Sequence, residues 1–150
     1  MRREELPDRS VRIAADDCSF TYYRPALGVV YIEIQGTDRG AFGTAVTNEM
    51  AGDLSAFAPI ELFIDTTDVL FALPEVAELW TKWFSTNRGS LKSVNILVRS
   101  KFIHVTVEVA KLFSRTGNLI RVYLDPQHFQ AALERAAPRG CASIALKRNS

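Results

Sequence analysis

Residues 65–68, Asp-Thr-Thr-Asp, form the densest run of chemically capable side chains in this 150-residue sequence, directly after the apolar segment 60–64. Two carboxylates three positions apart suit acid–base work, and two hydroxyls suit phosphoryl acceptance, but the same residue types also bond backbone amides where a strand ends. We read Asp65 and Asp68 as backbone-capping acids, and Thr66 and Thr67 as hydroxyls that bond the same loop. Gly36, Gly40 and Gly43 lie between a strand and a helix, with Asp65 some way downstream, an order shared with dinucleotide sites. Their spacing, however, is GxxxGxxG, and Asp38 and Arg39 stand where bare backbone would meet a pyrophosphate. A turn and a helix entry account for these glycines.

His104 and His128 are the only histidines, and no nucleophile elbow, HExxH or paired-cysteine pattern accompanies them. Both are read as structural. Cys18 and Cys141 belong to no CxxC pair, so two reduced thiols are expected in place of a metal site or redox dithiol. The residues therefore assign no catalytic group, no metal and no cofactor, and the expectation is a protein that is not an enzyme.

The elements that must position residues 65–68 follow from periodicity. Segments 11–14 and 19–23 read as a hairpin around Ala15, Asp16 and Asp17, and the β-branched run 29–34 reads as a central strand. Phe42, Val46, Met50, Leu54 and Phe57 recur every three or four residues and predict a helix over 41–57. A strand over 60–64 follows, and then a helix over 75–86 behind Pro74, a favoured first-turn residue, carrying Val76, Leu79, Trp80, Trp83 and Phe84. Segment 94–98 reads as a buried strand. Across 102–113 two patterns compete: Ile103, Val105, Val107 and Val109 alternate like a strand, whereas Phe102, Val105, Val109, Leu112 and Phe113 repeat like a helix. The helical repeat runs further and Gly117 is a natural stop, so a helix is expected. A strand over 119–124 precedes a helix opened by Asp125 and Pro126 and ended before Pro138. Ala142, Ile144 and Leu146 alternate, and predict either a short edge strand or a tail.

One domain is expected over 10–137, between a charged extension (1–9) and a C-terminal segment (138–150). That length buries a core without disulfide or metal staples. A formal charge of +1 supplies no field for gathering nucleic-acid phosphates, so nucleic acid is not an expected partner. No apolar run reaches bilayer length, which argues against membrane insertion. The start, MRREELPDRS, lacks the apolar centre of a secretory signal, and a cytoplasmic location is expected.

The run IELFIDTTDVLF, followed after Leu73 by a helix, resembles the strand and switch loop of STAS domains, the anti-sigma-factor antagonist family. The later run VEVAKLFSRTGNLIRVYLDPQHFQAAL resembles that family's closing helix, Thr-Gly turn, strand and final helix. The resemblance spans roughly residues 28–136. It implies an α/β fold: a single STAS-like domain with a mixed β-sheet and crossover helices packed mainly on one face. It also implies a binding or scaffolding module. Regulatory members carry a phosphorylated serine at the helix start, in an Asp-Ser-Ser-Gly setting, and the matching positions here are Leu73, Pro74 and Glu75. Leu and Pro accept no phosphoryl group, and Glu75 places a fixed negative charge where the helix dipole favours one.

The expected partner is therefore another protein, or a second copy of the chain in a homodimer. The expected recognition residues are Asp65, Thr66, Thr67, Asp68, Pro74 and Glu75, presented on a loop. Trp80 and Trp83 read first as core. Their alternative is the lining of a pocket for a small apolar, lipid-like ligand.

Overall fold

The β-branched run at 29–34 lies at the centre of a seven-stranded sheet. In the computed structural model, which describes residues 1–138, the elements run β1 (Arg2–Glu5), β2 (Val11–Ala15), β3 (Cys18–Ala26), β4 (Val29–Asp38), α1 (Ala45–Asn48), α2 (Ala51–Phe57), β5 (Ile60–Ala72), α3 (Pro74–Thr86), β6 (Leu91–Leu97), α4 (Lys101–Phe113), β7 (Ile120–Tyr123) and α5 (Pro126–Ala136). Spatial order follows chain order, β1 to β7. The first four strands are antiparallel neighbours joined by tight turns; β4 to β7 are parallel and need helical crossovers. Because every crossover advances one strand with the same hand, α1 to α4 fall on one face. The sheet is mixed and the fold is α/β, as expected.

Period-two alternation divides the strands between two cores. Val30, Ile32, Ile34, Leu62, Ile64, Val94 and Ile96 face α1 to α4, together with Phe20, Tyr22, Phe42, Met50 and Phe84. Val29, Tyr31, Phe63 and Leu97 face the opposite way and are covered by Phe129, Ala132 and Leu133 of α5. A fully buried side chain of this size contributes about 1.5–3 kcal/mol, so the larger cluster dominates stability.

Three local differences from the sequence reading have physical causes. The charged segment 1–9 adds edge strand β1, registered on β2 from Arg2↔Ala14 to Glu5↔Val11, and Arg3 Nε donates to Glu49 Oε1 at 2.7 Å. The helix expected over 41–57 is broken: Gly43 has φ +53°, and Thr47 Oγ1 turns back to the Thr44 carbonyl. Phe42, Val46 and Met50 are buried nonetheless, while Phe57 is exposed. Segment 102–113 is helical, its first turn capped by Ser100 Oγ, which accepts from Ile103 N. Its buried side is Ile103, Val107 and Ala110, and the repeat that suggested the helix faces outward. The alternating residues 142, 144 and 146 lie outside the described residues.

Candidate functional site

Strand β5 runs 13 residues, far past the expected end at Ile64. Its pairing with β6 stops at Asp65↔Leu97, whereas its pairing with β4 continues to Asp38↔Ala72. Residues 66–72 therefore overrun the parallel sheet as one half of a two-stranded extension. Two register shifts bend this ribbon: Glu33↔Asp65 is followed by Gln35↔Asp68, and Gly36↔Val69 by Thr37↔Phe71. At each shift β5 carries one residue more than β4, the arrangement of a β-bulge.

The first bulge explains the Asp-Thr-Thr-Asp run. A bulge leaves an amide without its ladder partner, and Asp65 Oδ1 supplies one by accepting from Thr67 N at 2.9 Å and Thr67 Oγ1 at 2.6 Å. Asp65 Oδ2 accepts from Tyr31 Oη at 3.2 Å, and Thr66 Oγ1 donates to the Leu97 carbonyl at 2.6 Å. The capping role read for Asp65 is present in this geometry. The expected solvent loop is not: Asp65 and Thr66 are buried inside a strand, Thr67 is half-buried, and only Asp68 of the four is exposed. An apolar run ending in acids and hydroxyls marks a loop or a bulge equally well, and here the chain stays paired.

The second bulge pushes Leu70 outward, 76% exposed, beside the exposed Phe71. Phe71 stacks on Phe102 of α4, with centroids 5.1 Å apart and planes at 23°. Both fall in the segment 65–72 between the expected strand and helix, expected as a recognition loop, although neither was named individually. Pro74 opens α3 with Glu75 beside it, both exposed, and Leu73 N donates to the Asp38 carbonyl at 3.1 Å. Asp68, Leu70, Phe71, Pro74 and Glu75 thus crown the carboxyl end of β5, where open α/β sheets place their sites.

Gly36 holds the ribbon against the hairpin. Its φ is +96°, a Cβ there would meet the Asp17 carbonyl oxygen at 2.0 Å, and Thr37 N donates to that oxygen. Asp38, buried next along β4, accepts from Gly40 N at 2.9 Å. Burial raises its pKa and that hydrogen bond opposes the rise. The glycine loop therefore uses the Gly40 amide internally, and Asp65 faces Tyr31 on the α5 side of the sheet.

Trp80 and Trp83 pack against the larger core, as first expected. Trp80 stacks on Phe20 and meets Trp83 edge-on at 5.9 Å. Trp80 also lines a cavity of about 100 Å³ between the sheet and helices α3 and α4, with Ile64, Val69, Phe84, Ile103 and Ala110. Trp83 is not in that lining and packs on Trp80 and Phe84 instead. The histidines share no site: His104 Nε2 lies 3.5 Å from Glu108 on α4, and His128 Nδ1 lies 3.7 Å from Asp125 on α5. Cys18 is free and buried, its thiol pushed up to about 12 by burial with Asp38 adding to the rise.

A mixed sheet with all crossover helices on one face and a closing helix on the other is a STAS-like fold of the SpoIIAA-like kind. Solved structures share it, among them two that cover most of the chain. One is an uncharacterized protein of the DUF3478 family with a SpoIIAA-like fold from Shewanella loihica PV-4: TM-score 0.55, 14% identity, covering 81% of this chain and 98% of that one. The other is an anti-sigma factor antagonist from Mycobacterium paratuberculosis: TM-score 0.52, 13% identity, covering 86% and 97%. At such identity the likeness establishes the fold. No protein-family model matches the sequence, and comparison with curated proteins returns no relative. Among the described residues no helix is long and apolar enough to cross a membrane.

Proposed function

We propose that this chain is a non-catalytic regulatory module that binds another protein through the crown of β5 and the start of α3. The observation that carries this reading is the overrun of β5, which brings Asp68, Leu70 and Phe71 to the surface beside Pro74 and Glu75. A central apolar anchor with a charged rim is the common anatomy of a protein contact. The likeness to an anti-sigma factor antagonist supports a protein as the partner class.

Control by serine phosphorylation is absent from this reading, since Leu73, Pro74 and Glu75 hold the positions that resemble the switch. Thr66 is committed to the Leu97 carbonyl from a buried position, and the half-buried Thr67 donates to Asp65. The module works in the cytoplasm, a setting with which the free thiol of Cys18 is compatible. A photoreactive residue at Leu70 tests the reading. Cross-linking in host extract is expected to yield a defined protein, whose affinity measured with purified components falls about tenfold or more on Asp68→Arg. Equal cross-linking from Leu70 and from a control position at Arg12, or affinity indifferent to Asp68→Arg, would contradict it.

The cavity favours a second reading, a sensor of a small apolar ligand. At about 100 Å³ it is smaller than the engineered, roughly 150 Å³ apolar cavity that admits benzene, so it suits a compact group more than an acyl chain. Xenon, a more compact apolar probe than benzene, raising the melting temperature would support this reading, and an unchanged melt would end it.

A further inference from the structure

Helix α4 is apolar on two sides. Ile103, Val107 and Ala110 face the sheet, yet Phe102, Val105, Val109, Leu112 and Phe113 form a second stripe, 46–73% exposed, that nothing among the described residues covers. Monomeric proteins rarely leave contiguous apolar patches above a few hundred Å² in water. We propose that this outer stripe is a two-fold interface that joins two copies of the chain.

The spacing of the stripe suits a copy of itself. Two α4 helices laid antiparallel with their crossing at Val107 set Phe102 opposite Leu112 and Val105 opposite Val109, each pair occurring twice, as an isologous contact requires. In the same register Lys101 faces Phe113 and Glu108 faces Thr106, while Ile103, the counterpart of Lys111, is turned to the sheet, so no like charges meet. Room for the second helix lies in the groove between α3 and α4, walled on the α3 side by the small residues Ala77, Thr81 and Ser85. Phe71, stacked on Phe102, extends the apolar area onto β5. With Phe71, the exposed apolar side chains of the stripe supply several hundred Å², a large part of the roughly 800 Å² that one partner contributes to a standard interface.

A lipid surface fits less well. Interfacial helices gather cations along their polar flank. Here the flank and the facing edge of α3 mix Lys101, Lys111 and Lys82 with Glu108, Glu75 and Glu78, and Glu108 pairs with His104. That balance offers no net attraction for anionic headgroups.

The inference goes beyond the partner-binding reading: the two surfaces meet at Phe71, but Val105 and Leu112 lie on α4 away from the crown of β5, so either can fail alone. Sedimentation velocity from low micromolar to near-millimolar concentration tests it. The chain is expected to reach twice its 16.7 kDa mass. Val105→Glu and Leu112→Glu, both at exposed positions, are expected to keep the circular dichroism spectrum and weaken association by roughly 30-fold or more, the size of a hot-spot loss. Leu124→Glu, an exposed change after β7, is expected to leave association unchanged. A monomer at every concentration, a dimer indifferent to both α4 variants, or a monomer that floats with phosphatidylcholine–phosphatidylglycerol vesicles would each overturn the proposal.

Discussion

Filling the cavity under α4 is expected to stabilise the protein, and Ala110→Val is the direct test. Ala110 is buried and lines the space together with Ile64, Val69, Trp80 and Ile103. Valine adds two carbons, worth about 1.6 kcal/mol at about 0.8 kcal/mol for each one buried. Its β-branch costs up to about 0.7 kcal/mol of helix propensity. The net gain is about 1 kcal/mol, which in a domain of this length raises the melting temperature by about 2–4 °C. Urea unfolding should show a higher midpoint with an unchanged slope, because the surface exposed on unfolding is nearly the same. The same variant should abolish any xenon-induced rise in melting temperature. Destabilisation by about 1 kcal/mol or more, the signature of overpacking, would refute the reasoning by showing that the space does not exist in solution.

Other outcomes follow from single contacts. Gly36→Ala drives a Cβ into the Asp17 carbonyl at a positive φ, so urea unfolding should show a loss of at least about 2 kcal/mol; wild-type stability would mean the ribbon and the hairpin are not docked. Asp38 has a raised pKa, so the folded state binds its proton more tightly than the unfolded state. Its contribution to stability is then full below the unfolded pKa and is lost as pH rises through the folded one. Asp38→Asn should accordingly be more favourable to stability at pH 7 than at pH 3, and a difference of opposite sign in paired denaturation curves would contradict the burial argument. Cys18, with its thiol pushed up to about 12, should resist maleimide at pH 8 in the folded protein and react once urea is added; equal labelling of its peptide in both states, read by mass spectrometry, would show that it is not enclosed.

Much of the architecture was legible in periodicity. The β-branched run at 29–34 marked β4, which is buried on both faces, and the helical spacing behind Pro74 and Pro126 marked α3 and α5, each with one buried face. The candidate site was legible in place but not in form. Asp65 and Thr66 look like loop residues because a bulge needs the same side-chain acceptors and donors as a turn, and no local signal tells whether β4 continues alongside. Leu70 and Phe71 lie in the segment expected as the recognition loop but were not named, because their exposure on a strand is set by where β6 ends, which is non-local. Helix α4 shows the converse: its apolar residues fill two stripes, and the sequence alone does not say which one meets the sheet. The N-terminal strand went unread because Arg2–Glu5 is polar on both faces and is held by pairing with β2 and by the Arg3–Glu49 contact.

The central claim, that the crown of β5 is the contact surface, is tested most directly by nitrogen-15 NMR of the labelled chain titrated with the protein captured from Leu70. Resonances of Thr67, Asp68, Leu70, Phe71 and Glu75 are expected to shift or broaden together, while Arg2–Glu5 stays unchanged. Perturbation confined to the β1–β2 edge, with the β5 crown silent, would contradict the account.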